Sequence, residues 1–132
     1  MTARAEGRFT VASWTEDTYS ELDGKGKLTK ATVSYKLSGG IEGEANWEAL
    51  MYYRADGTAE YTGLQHVSGQ IDGRSGTCVM LADGGYADGA ARGTWRVIPG
   101  SGTGGLAGLS GSGTSVATST PPGTFTFDYE LA

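Results

Sequence analysis

His66 is the only histidine and Cys78 the only cysteine in a chain of 132 residues. That scarcity removes most familiar catalytic devices. A serine or cysteine nucleophile needs a base beside it. The two segments nearest to G-x-S-x-G, GRSGT at 73–77 and GLSGS at 108–112, both miss the final glycine. One histidine and one cysteine supply a transition-metal site poorly. Asp83 and Asp88 with nearby carbonyls offer oxygen ligands for calcium, but each precedes a glycine, and Asp-Gly turns explain them with fewer assumptions. No metal and no cofactor are expected. Gly100, Gly102 and Gly105 satisfy G-x-G-x-x-G, yet a dinucleotide site needs a helix after that turn. Gly108, Gly111 and Gly113 oppose a helix there, and no Gly-Lys-Ser/Thr follows. A bulged turn between two strands accounts for this segment.

Carboxylates and aromatic side chains are the candidates left. Glu42, Glu44 and Glu48 share parity, and Glu16 ends the first predicted strand. A solvated outer face accounts for all of them. If Glu44 instead faced inward, burial would raise its pKa and fit it for general acid or base work. Glu44 is the first choice because IEGE begins its strand near a barrel rim. Tyr35 and Gln65 are placed to hydrogen-bond and polarise a substrate carbonyl. Trp47, Met51, Tyr53, Tyr61, Trp95, Phe127 and Tyr129 fall on predicted inner faces, and Trp14 falls at a barrel end where a mouth would form. These side chains either fill a core or line a ligand pocket; Tyr and Trp carry polar handles that seek partners when buried. Cys78, in Cys78-Val79-Met80-Leu81, reads as a buried structural thiol. His66 follows Gln65, so an inward Gln65 puts His66 outside.

The elements that must position these residues are strands. The chain holds 23 glycines, far above the usual share of roughly 7%, without a collagen period. Asp-Gly recurs at 23–24, 56–57, 72–73, 83–84 and 88–89, the signature of tight hairpins. Between the turns, residues alternate with period two, as in Ala31, Val33, Tyr35 and Leu37, and again in Phe125, Phe127 and Tyr129. Phe9, Val11 and Ser13 are expected on one face of the first strand. The segment 44–54 (EANWEALMYYR) is rich in helix formers, but a strand feeding the Asp56-Gly57 turn is favoured. Eight strands result, near 7–16, 28–38, 43–54, 59–71, 74–82, 91–98, 112–118 and 124–130. Gly43, Gly63, Gly69, Gly76 and Gly93 suit bulges and bends that curve a sheet. Closure hides the edges of such a sheet, so the expected fold is all-β, an eight-stranded antiparallel barrel of the lipocalin kind. A sandwich is the alternative.

Residues 1–132 read as a single domain of 13.7 kDa. The net charge of −5 and pI near 4.7 lack the positive footprint that nucleic acid requires. No apolar run is long enough for a membrane helix. Met1–Thr10 carries Arg4, Glu6 and Arg8 without an apolar stretch, so no signal peptide and a cytoplasmic location are expected.

VIPGSGTGGLAGLSGSG, with SWTE, IEGE, YRADGTAEYTGL and IDGRSG, resembles the DUF3224 family of small bacterial proteins over nearly the whole chain. The GTGGLAG stretch is similar to a turn of allene oxide cyclases and dirigent proteins. The resemblance implies an allene oxide cyclase-like barrel with an apolar lumen, often oligomeric, so a homo-oligomer is expected. Where the family usually carries an acidic residue and a histidine, this chain has Gln65 and Ala82, which implies a more apolar pocket. The function expected on these grounds is a cofactor-independent cyclase or isomerase, pericyclic chemistry and natural-product ring formation included, acting on an apolar small molecule in the lumen. The alternatives are a non-catalytic small-molecule-binding barrel and an interaction module with a filled lumen.

Overall fold

A computed structural model describes residues 2–131. Eight strands follow one another in chain order: β1 (Ala3–Glu21), β2 (Lys27–Gly39), β3 (Ile41–Tyr53), β4 (Ala59–Ile71), β5 (Arg74–Ala87), β6 (Ala90–Val97), β7 (Ser110–Thr118) and β8 (Gly123–Glu130). Each pairs antiparallel with the next, and β8 returns to β1, closing the barrel. The 44–54 segment is strand, with Ala45, Trp47, Ala49 and Met51 buried on one face. That burial pattern, with Glu44, Asn46, Glu48 and Leu50 exposed between, decides against helix despite the local propensity.

The Asp-Gly pairs work as turns at four of five places. Asp72-Gly73 and Asp88-Gly89 are two-residue hairpins with φ of 52° and 77°, and 54° and 76°, as a type I′ turn requires. Asp56 caps its own turn by accepting hydrogen bonds from Thr58 N and Oγ1 at 2.9 and 2.7 Å. Asp83-Gly84 is the exception. It lies inside β5, opposite Thr62 and Tyr61. A Cβ on Gly84 would run into the backbone of Arg92 and Gly93 and the ring of Tyr61, so close approach of neighbours, not a turn, explains the glycine.

The inner-face glycines likewise do not mark bulges. Pairing of β3 with β4 and of β4 with β5 runs without a register shift through Gly43, Gly63, Gly69 and Gly76. At Gly63 a Cβ would meet the Glu48 carbonyl and Ala49 Cα; the missing side chain permits the coiling that closes a small barrel. Both register shifts are in β1, between Val11 and Ser13 and between Thr18 and Ser20. The first corrects the expected parity. Val11 faces Tyr35, Ala12 is the extra residue, and Trp14 and Glu16 then sit opposite the buried Val33 and Ala31. Ser13 thus leaves the face of Phe9 and Val11, and Trp14 and Glu16 join it.

The barrel is filled at one end only. At the end where β5 begins and β8 finishes, Ile41, Ile71, Cys78, Met80 and Phe127 are fully buried. The glycine-rich segment 98–109 caps this end. It continues the edge of β5, with Ile98 N donating to the Val79 carbonyl at 2.9 Å and Thr103 N to the Thr77 carbonyl at 2.8 Å. Ser101 Oγ accepts from Val79 N at 3.0 Å. A three-residue 3-10 turn, Gly104–Leu106, then drives Leu106 into the core. The required dinucleotide-binding helix is replaced by this plug.

Candidate functional site

The opposite half of the lumen holds a cavity of about 140 Å³. Its existence follows from the side chains on two strands. Toward this end the inward positions of β6 and β7 are Ala91, Gly93, Ser115 and Ala117, too small to meet the aromatic wall opposite. That wall comprises Phe9, Tyr35, Trp47, Met51 and Tyr61, and Trp95 joins the lining from farther along β6. Edge-on contacts fix it: Phe9 with Tyr35 at 5.6 Å between ring centroids, and Trp47 with Tyr61 at 5.2 Å. Trp47 Nε1 reaches past β4 and donates to the Ala82 carbonyl at 3.3 Å. Trp14 and Val11, both largely exposed, stand at the mouth. A void of this size matches one six-membered ring, since an apolar cavity of about 150 Å³ accepts benzene.

Two of the three expected catalytic side chains meet in this cavity. Tyr35 and Gln65 both line it. Gln65 is 3% exposed, and its Nε2 has no hydrogen-bond partner. Burial raises the pKa of the Tyr35 hydroxyl, and neighbouring Tyr61 raises it further, so Tyr35 remains a neutral donor. The Tyr61 hydroxyl, also pushed up by burial, has a long 3.5 Å contact with the Gly85 carbonyl.

Glu44 is elsewhere. It is exposed on the outer face of β3, opposite Lys36 and Ser68, because the buried parity of that strand belongs to Ala45, Trp47, Ala49 and Met51. An inward, desolvated Glu44 is therefore excluded. Of the expected ligand contacts, Trp14, Trp47, Met51, Tyr61 and Trp95 line the cavity, while Tyr53, Phe127 and Tyr129 do not. Phe127 and Tyr129 stack at 5.6 Å within the closed end. Cys78 is buried there too, and desolvation pushes its thiol up to about 11, which makes it inert. His66 is exposed on the outer face of β4, opposite Asn46 and Val79.

The carboxylate that the sequence pattern assigns to the outer face and the fold turns inward is Glu16. Of the glutamates singled out above, it alone joins the inner face, carried there by the Ala12 bulge. Trp14 Nε1 donates to its Oε1 at 3.0 Å, and the buried Thr29 Oγ1 donates to its Oε2 at 2.6 Å. Burial pushes the Glu16 pKa up, but hydrogen bonds from Thr29, Tyr53 and Trp14 and the charge of Lys27 outweigh it, so the net shift is downward. Tyr53 sits between this carboxylate and the sulfur of Met51, which its hydroxyl approaches at 3.4 Å. The group is an ionised anchor that holds the Trp14 ring at the mouth. The available signal was the skipped step from Phe9 and Val11 to Trp14, which breaks a period of two.

Among the described residues no group of three or more His, Cys, Asp or Glu is gathered in one place as metal ligands would be. Asp83 is the one charged residue among those lining the cavity, and its carboxylate is engaged on the outer face by Thr62 Oγ1.

Comparison with known proteins agrees with this architecture. No curated protein matches the chain significantly. A solved structure of a protein of unknown function from the DUF3224 family of Shewanella oneidensis MR-1 is similar, with a TM-score of 0.85 and 25% identity, covering 100% of this chain and 99% of that one. The family model described as a protein of unknown function (DUF3224) matches residues 5–129. The fold is the closed eight-stranded barrel of the allene oxide cyclase and lipocalin kind, and the chain belongs to the DUF3224 family.

Proposed function

We propose that this protein is a cofactor-independent cyclase or isomerase that folds an apolar, unsaturated small molecule inside the barrel lumen. The observation that carries this reading is the cavity itself: a one-ended aromatic pocket whose lining includes two uncharged residues with hydrogen-bond donors, Tyr35 and Gln65. Rigid walls that hold a flexible chain in a near-attack conformer contribute roughly 7–11 kcal/mol to a unimolecular reaction. Glu44 lies outside, and the ionised Glu16 is saturated by donors at the mouth. A reaction that moves bonding electrons around a ring without a net proton transfer fits these walls better than acid–base catalysis. Tyr35 and Gln65 would polarise a carbonyl conjugated to the reacting bonds.

The test is turnover of a panel of linear conjugated polyenones, followed by chiral chromatography and mass spectrometry. The expected result is a product of unchanged mass, enriched in one stereoisomer and formed faster than in buffer. Conversion of every member at the buffer rate would overturn the reading. Binding without any conversion would establish the alternative, a carrier barrel.

A further inference from the structure

We propose that the lumen is built for a neutral ligand that presents a hydrogen-bond acceptor, a ketone, lactone or amide carbonyl, to the side-chain amide of Gln65. This deepens the reading above by naming the recognised group, and its binding component stands whether or not catalysis follows.

Gln65 sits at the middle of β4, between Trp47 of β3 and Met80 of β5. Its side chain is enclosed by these and the other apolar wall residues, and Nε2 finds no partner. An amide in such a setting loses its hydrogen bonds to water and gains nothing in return. Leucine or methionine would fill the same position without that loss. The unmatched atom is a donor, so the missing partner is an acceptor. Tyr35 supplies a second, neutral donor from β2 in the same cavity.

Charge narrows the class further. No lysine, arginine or histidine lines the cavity, and the single acidic lining residue, Asp83, is tied to Thr62 outside. A carboxylate or ammonium entering here would be desolvated without a counter-ion, which excludes it. The size of the void limits the enclosed portion to about one ring. A longer ligand must leave past Trp14 and Val11, where the wall is open. The Ser115 hydroxyl on the small-residue wall offers one further polar contact.

The test uses two probes of like shape, cyclohex-2-enone and 3-methylenecyclohexene, in which a methylene group replaces the carbonyl oxygen. Each is titrated into the ¹⁵N-labelled full chain while the side-chain amide resonances are followed, with the Gln65 pair assigned by its loss in Gln65→Met. The wild type is expected to bind the enone about tenfold more tightly than the hydrocarbon, with the Gln65 amide protons moving downfield only for the enone. In Gln65→Met, and in Gln65→Leu as a second variant, the preference should vanish while hydrocarbon binding persists. Equal affinities in the wild type, an unchanged preference in both variants, or no response of cavity resonances to either probe would overturn the proposal. Enone binding at Gln65 with no turnover of any polyenone would sink the cyclase reading alone.

Discussion

A buried amide without a partner is a local conflict between stability and use, and Gln65 shows it in one side chain. Natural proteins keep such groups where function requires them. Replacing it with methionine, which has similar length and no polar atoms, is expected to raise stability by about 1 kcal/mol, read as a higher urea midpoint at unchanged slope, even as carbonyl recognition is lost. A fall in stability would mean that water or a neighbour satisfies the amide after all. Glu16 makes the opposite case, a carboxylate whose partners are all in place. Its folded pKa is depressed below the ordinary value of 4.5, so its contribution to stability is complete above that value and is lost as pH falls through the folded pKa. Denaturation of wild type and Glu16→Gln from about pH 7 to about pH 3 should therefore show a gap in stability that is widest near neutrality and narrows toward acid. A gap independent of pH would show that Glu16 acts by shape, not charge.

The first strand and the glycine-rich segment decide which end of the barrel works. Beyond Phe9, β1 has lost β8 and pairs with β2 alone, leaving a free edge beside the mouth. Two bulges and the acids Glu16, Asp17 and Glu21 blunt that edge against unwanted pairing. Deleting Ala12 removes one bulge and lets Ser13 follow Val11 in regular alternation, so Trp14 and Glu16 should stay on the inner face opposite Val33 and Ala31. The expected change in stability is small, about 0.5 kcal/mol or less, with acrylamide quenching of tryptophan fluorescence unchanged; a large loss or a newly exposed tryptophan would show that the bulge does more than reset parity. At the other end, Leu106→Ala is expected to cost about 2–5 kcal/mol, because this fully buried side chain plugs the core. The contrast explains what the sequence disclosed. Hairpins at Asp56, Asp72 and Asp88, and strands with unbroken alternation, were legible because each signal is local. The placement of Trp47, Tyr61, Gln65 and Trp95 on inner faces followed from the same parity. Glu16 was not legible as an inner residue, because a bulge resets parity without a composition of its own. Asp83-Gly84 was misread because an Asp-Gly pair in a turn and one squeezed under Tyr61 have identical residues. Glu44 was attractive only while the burial of Ala45 and Trp47 on the alternate positions was unproven.

An eight-stranded barrel is just wide enough for side chains to fill it, so a hollow in one must be made by the choice of small residues. Here the division is lengthwise. Stacked Phe127 and Tyr129, with Ile41, Ile71, Met80 and Leu106, pack the closed half. Ala91, Gly93, Ser115 and Ala117 leave the open half short of side-chain volume. Stability thus rests on one half and ligand capacity on the other, and the two should respond separately to substitution. Ala91→Leu and Ala117→Leu each add three carbons to the small-residue wall, facing the void. Burial of apolar carbon contributes about 0.8 kcal/mol per methylene, and repacking offsets part of it. Thermal denaturation of both variants is therefore expected to show stability unchanged or raised by up to about 2 kcal/mol. Enone binding should weaken at least tenfold in the same variants, because the added carbons occupy the space of the ring. Full binding in the filled barrels would move the ligand to the outer surface and remove the basis for a lumenal function. A large loss of stability would mean that the void is already occupied by the motions of the aromatic wall. Only when binding falls while the fold holds is the hollow half of the barrel shown to be a site and not a packing defect.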